Sequence, residues 1–439
     1  MAGKASLLLV LGFSMLFLVF GHNFNSVSTR TVENFTDYYS KTVAHDLAVS
    51  GANLGANAVY IDNNWKAGYK NLKLNGGTVD VKIDVLNAVQ NIRKLTSTAT
   101  YNGTTSTVEV IFSPRRFSEY AYFSENEGSG IWWMKRDSVF GPFHTQDNLR
   151  ASNHPVFGIG GYRSTIKGKL IYYNSKQKDA PIFHGSFQDG VDEPLKTNGL
   201  EPLREAAADE GHKIDYSTTS TTVSNWVCNH SRWNKHSSPC SNGYWNTTTL
   251  TNPDTVYLTF VNDSVKIKMG YNKPEVTYKS NEIAPNGVIY AEGMDIRLKG
   301  TVEGQFSVVS DKNIWLDDDI VYSKDPRQHP GTTDILGIIA QKEVIITDND
   351  NVKNIKIHGA IYCEEGGFGA DNYDGRSNDG YINLLGGMTQ KIRRAVGTFS
   401  GENVNTGFAK RYRYDDRLQF IYPPFFPTTG GFKIVSWKE

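Results

Sequence analysis

The chain has 439 residues, enough for two or three domains or one long repetitive one. Lys plus Arg and Asp plus Glu both number 46, so the formal net charge is zero. That balance argues against a nucleic-acid binder, which usually carries a basic excess or stripe. Aromatic residues make up 12% and there are 41 Gly, a composition that suits β-structure with many turns.

Residues Ala5 to Gly21 carry no charge and form an apolar run of 17 residues, at the short end of what spans a bilayer. A cleaved signal peptide would share the basic Lys4 and the apolar centre, with Val19-Phe20-Gly21 as a weak cleavage site. The continuation favours a retained anchor. Val32, Phe35, Tyr39, Val43, Leu47, Leu54 and Ala58 recur at helical steps. Small residues crowd the second half of this stretch, from Ala44 through Gly51 and Gly55 to Ala58, and would let a sheet approach closely. Residues 1–62 are therefore predicted as one helix, apolar and then amphipathic.

Residues 63–190 read as a β-rich domain. It opens with an antiparallel meander (GTVDVKIDVL, IRKLTSTATY, STVEVIF) in which Asn102-Gly103 forms a tight hairpin turn. Residues 191–280 read as an irregular polar insert. From 281 to 439, short apolar strands separated by Gly, Asp and Asn come too close together for helical crossovers. The expected fold is mainly β with one long N-terminal α-helix, an α+β chain. The meander is followed by a C-terminal half built as a β-solenoid or an irregular sandwich, with the solenoid preferred.

Candidate chemistry is sparse. In a regular strand Asp317 and Asp319 would share a face and could hold a structural calcium through hard oxygen ligands; the competing reading is a solvated turn. Asp348–Asn351 and Asp371–Asp379 offer similar oxygens without the EF-hand order. Cys228 and Cys240 bracket a polar loop and could close a disulfide; His230 and His236 between them leave a zinc site as the alternative, though the spacing fits no common finger. Cys363 is expected to be a small buried hydrophobe. His144 with Asp147, and the separate His154 and His184, read as structural, since no nucleophile elbow accompanies them. Trp226, Trp233, Tyr244 and Trp245 form either a recognition surface or a small local core.

Several segments carry a resemblance. Gly3-Lys4-Ala5-Ser6-Leu7-Leu8 resembles the short basic, Gly-ended leader before a pilin helix. The segments Gly141–Leu149, Pro155–Gly158, Asp334–Ala340, Gly386–Gln390, Arg393–Phe399, Tyr412–Leu418, Pro423–Pro427 and Ile434–Glu439 resemble large bacterial relatives of type IV pilin-like, especially PilX-like minor pilin, proteins. The resemblance implies an envelope-anchored or filament-associated protein with no cofactor and no catalytic role. It would be held at the inner membrane facing the periplasm, or displayed in a surface filament. Its implied partners are the membrane, other pilin-like subunits or envelope proteins, and surface glycans. Major pilins carry an assembly Glu five residues after leader cleavage; cleavage after Gly3 would put Leu8 there. The competing function is an exported β-helix enzyme acting on polysaccharide through the Asp317–Asp319 carboxylates.

Overall fold

The computed structural model describes residues 2–62, 64–87, 90–195, 199–215, 221–228, 243–250, 255–270, 273–349 and 353–439, with the backbone alone at 2–5, 221–228 and 243–250. The described chain is one long N-terminal helix followed by mostly strands, the expected class. It divides into two compact units, residues 1–115 with 430–439, and residues 116–429. This division differs from the four segments read from composition, because the last strand returns to the first unit.

In the first unit, α1 (Ala2–Ile61) runs unbroken for 60 residues, about 90 Å of helix. It leads into β1 (Tyr69–Leu74), β2 (Gly77–Asn87), β3 (Ile92–Tyr101) and β4 (Thr104–Arg116), an antiparallel meander in sequence order. The C-terminal strand Thr428–Lys438 adds beside β4 as the fifth strand. Alternation decides which face is buried. Val79 and Val81 of β2, Leu95, Ser97 and Ala99 of β3, and Val108, Val110 and Phe112 of β4 all point to the core. The Asn102-Gly103 turn has φ of 47° and 77°, the two left-handed residues that a tight hairpin of this twist requires. Asn75-Gly76 does the same between β1 and β2, at φ of 43° and 81°. β1 precedes the meander expected from the sequence, which opens at GTVDVKIDVL.

The second unit is built from stacked parallel ladders. One runs through His212–Ile214, Val288–Ala291, Gln305–Ser310, Ile335–Ala340, Lys356–Cys363, Asn378–Ile392, Tyr122–Asn126, Phe143–Thr145, Ser164–Ile166 and Phe187–Gln188. Aligned register stacks like on like. Ile289, Val308, Ile338, Ile361 and Met388 form one column and are all buried. A second ladder stacks Leu258, Leu298, Leu316 and Ile346 in the same way. Each such side chain is worth about 1.5–3 kcal/mol in transfer from water.

The order of strands in the first ladder is not the order in sequence. From Tyr122–Asn126 the chain stacks outward to Phe187–Gln188. Residues 189–211, including the helix Glu201–Asp209, then carry it to the opposite end at His212–Ile214. From there it stacks back until Asn378–Ile392 meets Tyr122–Asn126. The two halves of the unit therefore join at an internal seam.

Candidate functional site

Between Lys4 and Arg30 the sequence has no Asp, Glu, Lys or Arg. Those 25 residues give about 37 Å of helix, longer than the roughly 30 Å hydrocarbon core of a bilayer. Every large apolar residue from Leu7 to Phe20 is 49 to 74% exposed. The exposure runs round the whole helix rather than along one stripe, so no single protein face could cover it; a helix of this kind is stable in lipid. By length and composition it is fit to cross a membrane. Farther along, Thr31, Thr36 and Thr42 donate to the carbonyls four residues back at 2.8, 2.8 and 3.0 Å, which satisfies their hydroxyls within the helix.

The Tyr39 ring meets Tyr101 of β3 edge-on at 6.3 Å, and burial against the sheet begins at Ser40. The buried face is Ser40, Ala44, Leu47, Ala48, Gly51, Ala52, Gly55 and Val59. This corrects the expected stripe in part: Leu47 is buried and Val43 packs on the same core, but Val32, Phe35, Tyr39 and Leu54 are 62, 70, 52 and 42% exposed. Small residues, not large ones, choose the face, because they let the helix backbone lie against the strands. A Cβ on Gly51 would stand 2.4 Å from Val79 Cγ1 and 2.5 Å from Ser97 Oγ; one on Gly55 would stand 2.5 Å from Leu95 Cδ1.

The other sequence-predicted positions separate. Gly3 and Lys4 lie in the first turn of α1, and Leu8 is on its exposed apolar surface. Asp317 and Asp319 do not share a regular face. The register slips between Leu298 and Gly300 of the neighbouring strand, where Leu316 and Ile320 are the partners, so residues 317–319 form a bulge. Asp317 accepts from Arg297 Nε with both oxygens at 2.9 Å and from Thr347 at 2.8 Å. Asp319 accepts from the Lys356 amide at 2.8 Å. Among the described residues no three His, Cys, Asp or Glu side chains converge as a metal ion would need.

Cys240, Trp233, His230 and His236 lie outside the described residues. Cys228 and Gly243 are Cα partners at the end of a hairpin, Thr221–Cys228 with Gly243–Leu250, in which Trp226 faces Trp245 and Val227 faces Tyr244 by backbone register. Cys363 is fully buried with a free thiol, which burial pushes up to about 12. His144 sits in a buried column between Phe123 and Thr165, its ring nitrogens 2.7 Å from Thr165 Oγ1 and 3.3 Å from Gln146 Oε1. Burial holds it below the ordinary imidazole value. Asp147 instead accepts from the Glu127 and Asn148 amides, so the pair is not a dyad. His154 bonds the Ala180 carbonyl at 2.8 Å, and the His184 amide donates to the Phe157 carbonyl at 3.0 Å.

Two features escaped the sequence reading. The first is a buried polar clasp across the internal seam. Glu127 accepts from Arg393 at 2.6 Å, from Trp133 Nε1 at 2.9 Å and from the Tyr122 hydroxyl at 2.5 Å. Lys410 pairs with Asp137 at 2.7 Å beside the same Trp133 ring, and Arg393 stacks over it at 4.2 Å. The second is an aromatic cleft of about 650 Å³ whose rim includes Trp132, Tyr173, Tyr373 and Phe399. The Trp132 and Tyr173 rings meet edge-on at 5.0 Å, and Tyr173 is 55% exposed. No short spacing announces either, since each joins residues near 130 to residues beyond 370.

No family model and no curated protein matches the chain. Among solved structures it is similar to the competence-associated pilin ComZ from Thermus thermophilus, at 11% identity and a TM-score of 0.36. The match covers 91% of this chain and 97% of that one. An identity and a score this low carry neither fold nor function across.

Proposed function

We propose that the chain is a pilin-like envelope protein, anchored in a membrane by the first half of α1, with its strand-built body displayed for contact with surfaces or with other envelope subunits. One observation carries this reading. A single helix is bare and apolar all round over Leu7–Phe20 and clamped by small residues to its own sheet from Ser40 to Val59. A signal sequence has no need of rigid continuity with the folded unit; an anchor does. The narrower minor-pilin, PilX-like kinship rests on the sequence resemblance alone. The parallel ladders favour reading the body as a β-solenoid. Leu8 in place of the assembly Glu favours anchoring without ordinary incorporation into a filament shaft. We assign the chain no turnover of its own, because Asp317 is engaged by Arg297 and Thr347 and is not free to act on a polysaccharide.

Membrane fractionation with N-terminal sequencing of the mature product tests this. The expected product pellets with membranes, resists alkaline wash, dissolves in detergent and retains Leu7–Phe20. Leu9→Arg with Leu16→Arg releases it, since each charge near a helix centre costs about 2.5–3.5 kcal/mol of insertion. A soluble mature product beginning near His22 refutes the reading.

A further inference from the structure

Although the chain is neutral overall, its cations are not evenly spread. On the second unit, the strands Lys356–Cys363, Asn378–Ile392, Asn403–Tyr414 and Ser138–Phe140 lie side by side in parallel. Alternation along Asn403–Tyr414 buries Lys410, Tyr412 and Tyr414 and turns Arg411 and Arg413 outward. Register places Lys356, Asn383, Arg411 and Ser138 in one row across these strands, and His358, Leu385, Arg413 and Phe140 in the next.

A cleft of about 410 Å³ opens over these rows. Its charged lining is Arg327, Lys356, Arg411 and Arg413, with no carboxylate. Arg327 pairs with Asp325 at 2.5 Å. Among the described residues no carboxylate pairs with Lys356, Arg411 or Arg413. Two further clefts share walls with this one. One, of about 670 Å³, adds Lys135, Arg136 and Tyr381 with Asp137 and Glu402; the other, of about 480 Å³, adds Tyr162 and Arg417 with Asp415 and Asp416. Glu402 pairs with Lys135, Asp137 with Lys410 and Asp415 with Arg417. Both adjoin the central cleft at Phe140, and the three form a trough whose centre alone is lined by no carboxylate.

Lys356, Arg411 and Arg413, which no described carboxylate answers, repel one another, and an anionic ligand would relieve that repulsion and accept charge-assisted hydrogen bonds from them. Arg136 and Arg411 even share one ring, their guanidinium carbons 4.7 and 3.4 Å from the centre of Tyr381, and Arg136 Nε donates to the Tyr381 hydroxyl at 3.1 Å. The side chains are thereby pre-set in the trough rather than waving in solvent.

We propose that this trough binds an anionic polysaccharide, one bearing carboxylate or sulfate groups. The aromatic rings decide against single-stranded nucleic acid. Base stacking needs open aromatic faces, but Arg411 caps Tyr381 and Arg413 lies over Phe140 at 5.1 Å. Lys356 and Arg411 stand two strands apart, about 9.6 Å. Asn383 lies between them in register, offering an amide of the kind that suits a sugar hydroxyl. The site suits a chain whose charges are separated by neutral polar units. Binding does not depend on anchoring: detergent-solubilised full-length protein can bind whether or not the helix spans a membrane in the cell, so failure of one reading is distinguishable from failure of the other.

Titration calorimetry of the full-length protein in detergent, at low and moderate salt, is the test. The probes are polygalacturonate, heparin, neutral dextran and a single-stranded oligonucleotide. Polygalacturonate or heparin is expected to bind with an affinity that falls as salt rises, and dextran not at all. Lys356→Gln with Arg411→Gln and Arg413→Gln should weaken binding at least tenfold. A control changing Lys70, Lys82 and Lys438 to Gln, elsewhere on the chain, should not. Should the triple variant fold poorly by circular dichroism, Lys356→Glu alone, on an exposed side chain, is expected to weaken binding at least threefold. Unchanged binding in a folded trough variant, equal binding of dextran, or tighter binding of the oligonucleotide than of either acidic polysaccharide overturns the proposal.

Discussion

Replacing Arg393 with Met removes the cation that faces Glu127 across the seam. The pair is dry: the two side chains are 2 and 0% exposed and 2.6 Å apart. A buried pair of this kind contributes little net stability over an apolar substitute, but breaking it from one side leaves an uncompensated charge and costs about 3–5 kcal/mol. The larger unit, Arg116–Thr429, should unfold with an entropy near 2.1 cal/mol/K per residue, so the loss corresponds to a fall in Tm of about 5–8 °C. The double change Glu127→Gln with Arg393→Met should recover most of it. The Gln carbonyl still accepts from Trp133 and Tyr122 while the orphan charge is gone. Differential scanning calorimetry of the solubilised protein reads all three forms. A single variant that costs under about 1 kcal/mol, or a double variant no better than the single, would refute the claim that an unpaired charge at this seam is what hurts.

Gly51→Ala should destabilise the first unit by about 1–2 kcal/mol despite a gain of up to about 1 kcal/mol in helix propensity, because the new Cβ collides with Val79 and Ser97; denaturant titration measures it, and a net gain would show that the helix can back away from the sheet. His358 is buried and accepts from the Tyr322 amide at 3.1 Å; burial, partly opposed by Asp325, lowers it to about 4. The folded value lies below the unfolded one of about 6.5, so the stability it supports is complete above that pH and is lost as pH falls toward 4, by up to about 3 kcal/mol. His358→Asn, which keeps an acceptor, should flatten that slope, and a wild-type stability equal at pH 7.5 and pH 4.5 would count against it. Calcium or a chelator should leave Tm unchanged, since the Asp317 oxygens are engaged by Arg297 and Thr347; a calcium-dependent rise that Asp317→Ala abolishes would reverse that assignment.

The parts of the architecture that a reader of the sequence could foresee are those written in local pattern. The charge-free run, the continuing helix and the Asn102-Gly103 hairpin each depend on residues a few positions apart. The helix face was misjudged because large apolar residues were weighted above small ones, whereas close packing on a sheet selected Ala44, Ala48 and Gly51. The short strands of the second unit were visible, but not their order, because a strand buried on both faces reads as an unbroken apolar run with no partner inscribed in it. The seam and the cationic trough were invisible for a further reason. Arg393 meets Glu127 across 266 residues, and Arg411 meets Tyr381 and Arg136 only once three separate strands have been laid in register. Asp317 and Asp319 looked like a pair because regular alternation was assumed where the strand bulges.

The seam also has a bearing on biogenesis. Tyr122–Asn126 is laid down early, yet its neighbour on one side, Asn378–Ile392, is made near the end of synthesis. Until then an unpaired edge of the nascent body stays open to whatever strand it encounters, and β4 likewise waits for Thr428–Lys438. Neither edge is covered until a strand made hundreds of residues later arrives, so a chain truncated before Asn378 should carry two unpaired edges and be a ready target for proteolysis.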